Sequence, residues 1–254
     1  MTLAFSQVAI IGAGAMGRGI AQIAAQAGSQ VWLYDTQSGA SAKAREAIGQ
    51  TWDKLQDKGK LAPEAVAGFK ARLREAASLQ DLAGCDLVVE AIVEKIDIKK
   101  AVFADLEKTV AADAVLVTNT SSLSVTAIAA GMQHPGRFAG YHFFNPVPLM
   151  KVVEVIAGLK TDAAVCQRLS DYARQMGHTP VQAQDTPGFI VNHAGRGYST
   201  EALRIVSEGI ADFATIDRIL RDQVGFKLGP FELFDLTALD VSHHVIESIY
   251  RQYY

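Results

Sequence analysis

The chain has 254 residues, 49% hydrophobic and 20% charged, with 24 Lys+Arg against 27 Asp+Glu and a formal net charge of −3. That length fits one large or two modest domains, and the composition excludes collagen-like and disordered chains. A near-neutral balance argues against a general nucleic-acid binder, and two cysteines, Cys85 and Cys166, give neither a disulfide framework nor metal-ligand spacing, so a metal-free protein of the reducing cytoplasm is expected.

Residues 1–7 precede the first apolar run, 8–11, which meets glycines at once and leaves no room for a secretory leader. The run reads as a strand. It is followed by Gly12-Ala13-Gly14-Ala15-Met16-Gly17, which opens a helical pattern over 15–28. In a strand–turn–helix unit, Gly12 suits the tight turn, Gly14 lets the backbone approach a pyrophosphate, and Gly17 lets the helix pack close to the sheet. The helix N-terminus adds N–H groups and a positive dipole end for phosphates. A second strand, 31–34, ends in Asp35, 18 residues past Gly17. A carboxylate there accepts both ribose hydroxyls of an adenosine and repels a 2′-phosphate. Thr36-Gln37-Ser38 supplies no cation for that phosphate, which favours NAD over NADP.

Helical patterning over 38–58 and 95–110 alternates with strand-like runs at 87–89, 115–117, 138–143 and 152–156. Such alternation predicts a Rossmann-type, doubly wound and mostly parallel α/β sheet covered on both faces. The longest uncharged window, 114–136, is broken by Asn119-Thr120-Ser121-Ser122, so no membrane span is expected. Those four residues, His142 and Glu154 interrupt apolar strands where an open sheet presents its carboxyl edge, the usual place for ligands. Taken alone, the first group could cap a helix over 123–130, and His142 could be a satisfied core residue. Glu154 within an apolar strand needs a partner, and a buried carboxylate beside His142 would orient its ring and raise its basicity. The pattern changes at Asp185-Thr186-Pro187-Gly188. Beyond it, 189–206, 216–224 and 231–250 read as helices. The expected division is a dinucleotide-binding domain over 1–184 and a smaller all-α domain over 185–254.

The segments VAIIGAGAMGRGIA, VVEAIVE, TNTSSLSVTAIA, GYHFFNPVPLMKVVEV, DTPGFIVN and GPFELFDLTALD together resemble the L-3-hydroxyacyl-CoA dehydrogenases along nearly the whole chain. The resemblance implies NAD-dependent oxidation of an acyl-CoA substrate of the β-oxidation type. His142 is then the acid/base and Glu154 its orienting partner. Ser121 contacts the substrate's 3-oxygen and the nicotinamide side, and Asn145 and Asn192 hold the thioester end or the histidine. Glu94, Lys99, Asn119 and Asn145 belong with Asp35 on the cofactor's side, and Thr51 and Lys58 fall where the family places coenzyme A contacts. Residues 43–75 carry eight basic and five acidic side chains, a local excess suited to phosphates or to a solvated helical hairpin.

The stretch 193–198 is glycine-rich where the family has an apolar helix, a feature shared by longer bacterial members linked to aromatic-compound breakdown. The chain stops at Tyr253-Tyr254, before the segment that closes the family's helical domain, so that domain is expected to be unfinished. A homodimer through it is the family's pattern. Two other readings stay open: a non-catalytic NAD-binding relative, and a hydrolase using Ser121, His142 and Glu154, although no GxSxG elbow is present.

Overall fold

The computed structural model describes residues 2–253; Met1 and Tyr254, the expected outer limits of the two domains, and the side chains of Val241 and His244 lie outside the described residues. The chain divides into two compact units, one through Asp185 and one from Thr186.

The first unit runs β1 (Gln7–Ile11), α1 (Ala15–Ala27), β2 (Gln30–Tyr34), α2 (Ala40–Asp57), α3 (Pro63–Ala71), β3 (Leu73–Glu75), β4 (Leu87–Glu90), α4 (Ile96–Thr109), β5 (Val115–Thr118), α5 (Val125–Ala129), β6 (Phe138–Phe143), β7 (Val152–Ala157), α6 (Ala163–Gln175) and β8 (Thr179–Gln184). Its single sheet has the order β3-β2-β1-β4-β5-β6-β7-β8. Strand order reverses at β1, which pairs in parallel with β2 on one side and β4 on the other. That reversal is the switch point at which doubly wound sheets open a ligand crevice. The β6–β7 pair is antiparallel and β8 pairs in parallel with β7, so the last two strands run against the other six.

The inner strands are legible because both faces are covered. All residues of β4, β5 and β6 are buried, so their sequences are continuous apolar runs. Helix α1 packs Gly17, Ile20, Ala21 and Ala24 inward, and ends where Gly28, at φ 113°, donates its N–H to the carbonyls of Ala24 and Ala25. Trp52 of α2, Tyr141 and Phe143 of β6 and Tyr172 of α6 join the same core.

Several elements depart from the expected ones. Helix α2 begins at Ala40, because Gly39 takes a left-handed conformation. The short helix expected over 123–130 is α5, and its cap is Ser124, whose hydroxyl accepts from the Ala127 N–H, rather than the run 119–122. Strands β3 and β8 lie at the two edges of the sheet, where exposed polar residues hide the pattern.

The second unit is all helical: α7 (Val191–Ser207), α8 (Phe213–Asp222), α9 (Pro230–Thr237) and α10 (Leu239–Tyr253). The helix expected over 231–250 is two helices, broken at Ala238, which adopts φ 68°. A non-glycine residue carries no sequence signal for such a break. The carboxylate of Asp217 accepts from the N–H groups of Phe231 (2.9 Å) and Glu232 (3.1 Å) and so holds the start of α9. Among the described residues no helix is long and apolar enough to cross a membrane.

Both cysteines are free and buried. Burial, with the nearby Asp86 charge, pushes the Cys85 thiol up to about 12, and burial raises Cys166 as well. A raised thiol pKa keeps the unreactive protonated form until the pH approaches that value. A thiol–disulfide reagent at about pH 8 is therefore expected to titrate neither cysteine in the folded protein and both after denaturation. Fast labelling of the native chain would contradict the burial.

Candidate active site

The phosphate turn sits between β1 and α1. Gly12, at φ 102°, donates its N–H to the Tyr34 carbonyl (2.8 Å), tying the turn to β2. A Cβ on Gly12 would stand 2.5 Å from the Ala91 carbonyl oxygen, and one on Gly17 would stand 1.8 Å from that of Gly12. The fold itself therefore demands these two glycines. Gly14 differs: a Cβ there meets nothing within 4 Å. It caps α1 with no side-chain hydrogen bond. An α1 N-terminus without a side-chain cap, with open space beside Gly14, suits an anion cradle rather than a packing requirement. Asp35, half-buried, accepts from the N–H of Ala13 (2.7 Å, Oδ2) and of Gln37 (2.8 Å, Oδ1). Each carboxylate oxygen has a second lone pair, so a fixed acceptor pair is available for a ribose diol. On these observations the turn and Asp35 fit an adenosine dinucleotide.

A buried polar network holds the next two strand ends. Glu90, fully buried at the end of β4, accepts from the Lys99 ammonium (2.6 Å), the Ile92 N–H (2.7 Å) and the Thr118 hydroxyl (2.6 Å). Lys99, 1% exposed, also pairs with Glu94 Oε2 (3.2 Å). The other oxygen of Glu94 accepts from the Thr120 hydroxyl, the Ser121 N–H (3.0 Å) and the Ser122 hydroxyl (3.3 Å). The structure thus places Lys99 beneath the edge, where its charge fixes Glu94, and Glu94 fixes the 120–122 loop. A buried pair of this kind adds little net stability, but losing one partner strands a charge, so its value is geometric. Asn119 Oδ1 accepts from the Phe143 N–H (2.9 Å), joining β5 to β6.

Two strands further, antiparallel pairing sets His142 directly opposite Glu154. Opposed residues of an antiparallel pair share a face. Here His142 Nδ1 lies 2.6 Å from Glu154 Oε2, with the two residues 5% and 0% exposed. The imidazole also packs against Phe144, ring centroids 4.5 Å apart. A carboxylate on Nδ1 selects the tautomer that protonates there and leaves Nε2 as the exchanging nitrogen. The neighbouring Tyr141 donates to the Leu169 carbonyl (3.0 Å), and burial holds its phenol well above the usual range, so it stays protonated. His142 is the group of this pair of neighbours suited to acid–base work.

Asn145 follows β6 in an exposed turn and lines a cleft of about 310 Å³ together with Thr51 and Arg18. Thr51 donates its hydroxyl to the Ala47 carbonyl (2.9 Å). Lys58 is the exposed C-cap of α2, outside that cleft lining. In the second unit, half-buried Asn192 stands in the first turn of α7 and lines a largely apolar cavity of about 280 Å³ with Phe234 and Ile249. Helix α7 continues through Gly195 and Gly197 despite the glycine-rich sequence. Sequence reasoning missed Glu90, which reads as an ordinary strand end. Among the described residues no group of three His, Cys, Asp or Glu side chains could hold a metal ion.

Comparison with known proteins agrees with this arrangement along the chain. Residues 7–186 match the 3-hydroxyacyl-CoA dehydrogenase NAD binding domain, and residues 188–254 match the C-terminal domain of the same family. The chain is 43% identical over 254 residues to 3-hydroxyadipyl-CoA dehydrogenase of Escherichia coli (strain K12), covering all of this chain and 54% of that protein. It is 40% identical over 247 residues to human mitochondrial hydroxyacyl-coenzyme A dehydrogenase, covering 94% and 78%. The crystal structure of (S)-3-hydroxybutyryl-CoA dehydrogenase from Ralstonia eutropha superposes with a TM-score of 0.95 at 34% identity, over 98% of this chain and 88% of that one. The chain spans about half the length of the E. coli relative. With the glycine turn, Asp35 and the family's two domain matches in a single order, the chain belongs to the 3-hydroxyacyl-CoA dehydrogenase family, and its first unit is that family's NAD-binding domain.

Proposed function

We propose that the protein catalyses the reversible NAD-dependent oxidation of an L-3-hydroxyacyl-CoA to the 3-ketoacyl-CoA. The observation that carries this reading is the buried His142–Glu154 pair at 2.6 Å, on the sheet that holds the dinucleotide turn. NAD, when bound, supplies the hydride acceptor. The rest falls to the chain's own groups. His142 Nε2 takes the proton of the 3-hydroxyl as the carbonyl forms, while Nδ1–H donates to Glu154, which balances the imidazolium charge. In reduction the imidazolium returns that proton to the 3-oxygen. Ser121, on the loop fixed by Glu94, orients the 3-oxygen and the nicotinamide side. Asp35 selects the ribose. The family pattern gives Asn145 and Asn192 the thioester end or the histidine, and Thr51 and Lys58 the coenzyme A moiety.

The domain roles follow: 1–184 binds the dinucleotide, and 185–254 supplies the acyl pocket and pairs two copies. Exposed apolar side chains on the helical unit, among them Phe213, Leu236 and Leu239, suit such pairing. Buried free thiols suit a reducing, cytoplasmic compartment.

Loss of NADH absorbance with a panel of 3-ketoacyl-CoAs, varied in acyl length and with a terminal carboxylate, tests the reading. Turnover is expected with NADH, and kcat/KM with NADPH at least about 100-fold lower, because the Asp35 carboxylate opposes a 2′-phosphate. No turnover across the panel would overturn the activity, and equal use of NADPH would overturn the role of Asp35.

A further inference from the structure

Ser121 lies in the loop 119–124, between the end of β5 and the start of α5. Glu94 holds the first half of that loop, accepting from the Ser121 N–H at 3.0 Å and the Ser122 hydroxyl at 3.3 Å. The second half is held from elsewhere. Asp185 brings both carboxylate oxygens to it: Oδ2 accepts from the Ser124 hydroxyl (2.8 Å) and the Thr126 N–H (2.7 Å), and Oδ1 from the Val125 N–H (2.9 Å). This carboxylate comes from 60 residues beyond Val125, at the last position of the first compact unit.

Helix α5 has a cap without it. The Ser124 hydroxyl accepts from the Ala127 N–H (3.1 Å), and a serine in that place is a sufficient N-cap. The body of the helix is anchored without it as well. Val125 and Ile128 are buried, and the Thr126 hydroxyl accepts from the Leu159 N–H (3.0 Å) in the turn after β7. A Cβ on Gly140 of β6 would stand 2.8 Å from Val125 Cγ2, so the helix lies against the strand that carries His142. Asp185 reaches only the junction of loop and helix. There it fixes Ser124, whose hydroxyl is engaged as donor and acceptor at once. The preceding Leu123 N–H donates to the Thr120 hydroxyl (2.9 Å), which itself donates to Glu94. The loop is thus clamped by two carboxylates, one at each end, with Ser121 between them. Hydrogen bonds to an ionised acceptor are shorter and stronger than neutral ones, which suits them to holding a short loop still.

We propose that Asp185 is a positioning residue for the reaction, acting through Ser124 and the loop to set the Ser121 hydroxyl against the 3-oxygen. The proposal rests on the acyl-CoA reading above, in which Ser121 meets that oxygen. Such a clamp matters because a group displaced by about 1 Å from the reacting atoms forfeits much of its effect on the rate.

Steady-state kinetics with acetoacetyl-CoA and NADH, for wild type, Asp185→Asn, Asp185→Ala, Ser121→Ala and the Asp185→Ala, Ser121→Ala double variant, tests it together with amide hydrogen exchange read residue by residue by NMR. Asp185→Ala is expected to lower kcat by about tenfold with both KM values within about threefold of wild type, and Asp185→Asn, which keeps one acceptor oxygen, to lower it less. On the Ser121→Ala background the loss of Asp185 should cost nothing further, because the two act as a unit. Exchange in Asp185→Asn should quicken at the Ser121 amide as well as at Val125 and Thr126. A cap that serves stability alone would quicken Val125 and Thr126 only, and that outcome overturns the proposal. Unchanged kcat in Asp185→Ala, or losses that multiply in the double variant, overturn it equally. If Asp185→Ala does not fold, Asp185→Asn takes its place in both comparisons. In a protein without turnover the dehydrogenase reading falls by itself, and exchange at the Ser121 amide decides the clamp: quickened exchange upholds it and unchanged exchange removes it.

Discussion

Replacing His142 by glutamine is expected to lower kcat for 3-ketoacyl-CoA reduction by about 10²–10⁴-fold, the range attributable to a positioned general acid–base. The KM values for NADH and thioester should stay within about threefold, since the lost interaction belongs to the transition state and not to uniform binding. Glutamine is the informative replacement. Its amide fills much of the imidazole's volume and still meets the Glu154 carboxylate, so a buried charge is not abandoned. It cannot hold and release a proton near neutral pH. His142 is 5% exposed and packs on Phe144. A thermal melt within a few degrees of wild type would therefore show that chemistry rather than folding was lost. Steady-state kinetics with acetoacetyl-CoA decides the matter: near-wild-type kcat removes His142 from the mechanism, and a rise in NADH KM with intact kcat makes it a binding residue.

How much of this was legible in the sequence follows from where each signal is written. The inner strands announce themselves because burial on both faces demands continuous apolar runs, as in β4 and β5. The outermost strands do not: β8 reads TPVQAQ, with Thr179, Gln182 and Gln184 exposed. The dinucleotide turn is legible because its glycines answer to contacts within one βαβ unit. The clash of a Gly17 Cβ with the Gly12 carbonyl is five residues long in sequence and 1.8 Å in space. His142 and Glu154 stand out as polar breaks in apolar strands, and the family resemblance pairs them; the antiparallel register is what sets them face to face. Glu90 carries no such signal, and Lys99 is named by the resemblance alone. One ends a strand and the other opens a helix, and only the return of α4 over the sheet edge brings them to 2.6 Å.

Glu154→Gln should reproduce much of the His142 defect without touching the reacting atoms. Loss of the orienting carboxylate in such a pair costs on the order of 10⁴-fold in the best-known hydrolase case, through tautomer and charge. A loss of about 10²–10⁴-fold in kcat is expected here, with both KM values nearly unchanged. The physical reason is that Glu154, fully buried beside His142, is the counter-charge set 2.6 Å from Nδ1. A neutral amide keeps the shape but cannot balance the imidazolium that forms as the 3-hydroxyl loses its proton. A merely structural role would be met by the isosteric amide and would leave kcat intact. The sharper test is the double variant. If Glu154 acts only through His142, then His142→Gln with Glu154→Gln is no slower than His142→Gln alone, because residues working as a unit are strongly non-additive. Multiplied losses in the double variant would mean that Glu154 supports the reaction by a route separate from the histidine. A proton resonance from the His142 Nδ1–H, present in the wild type and absent or moved in Glu154→Gln, reads the same bond without turnover.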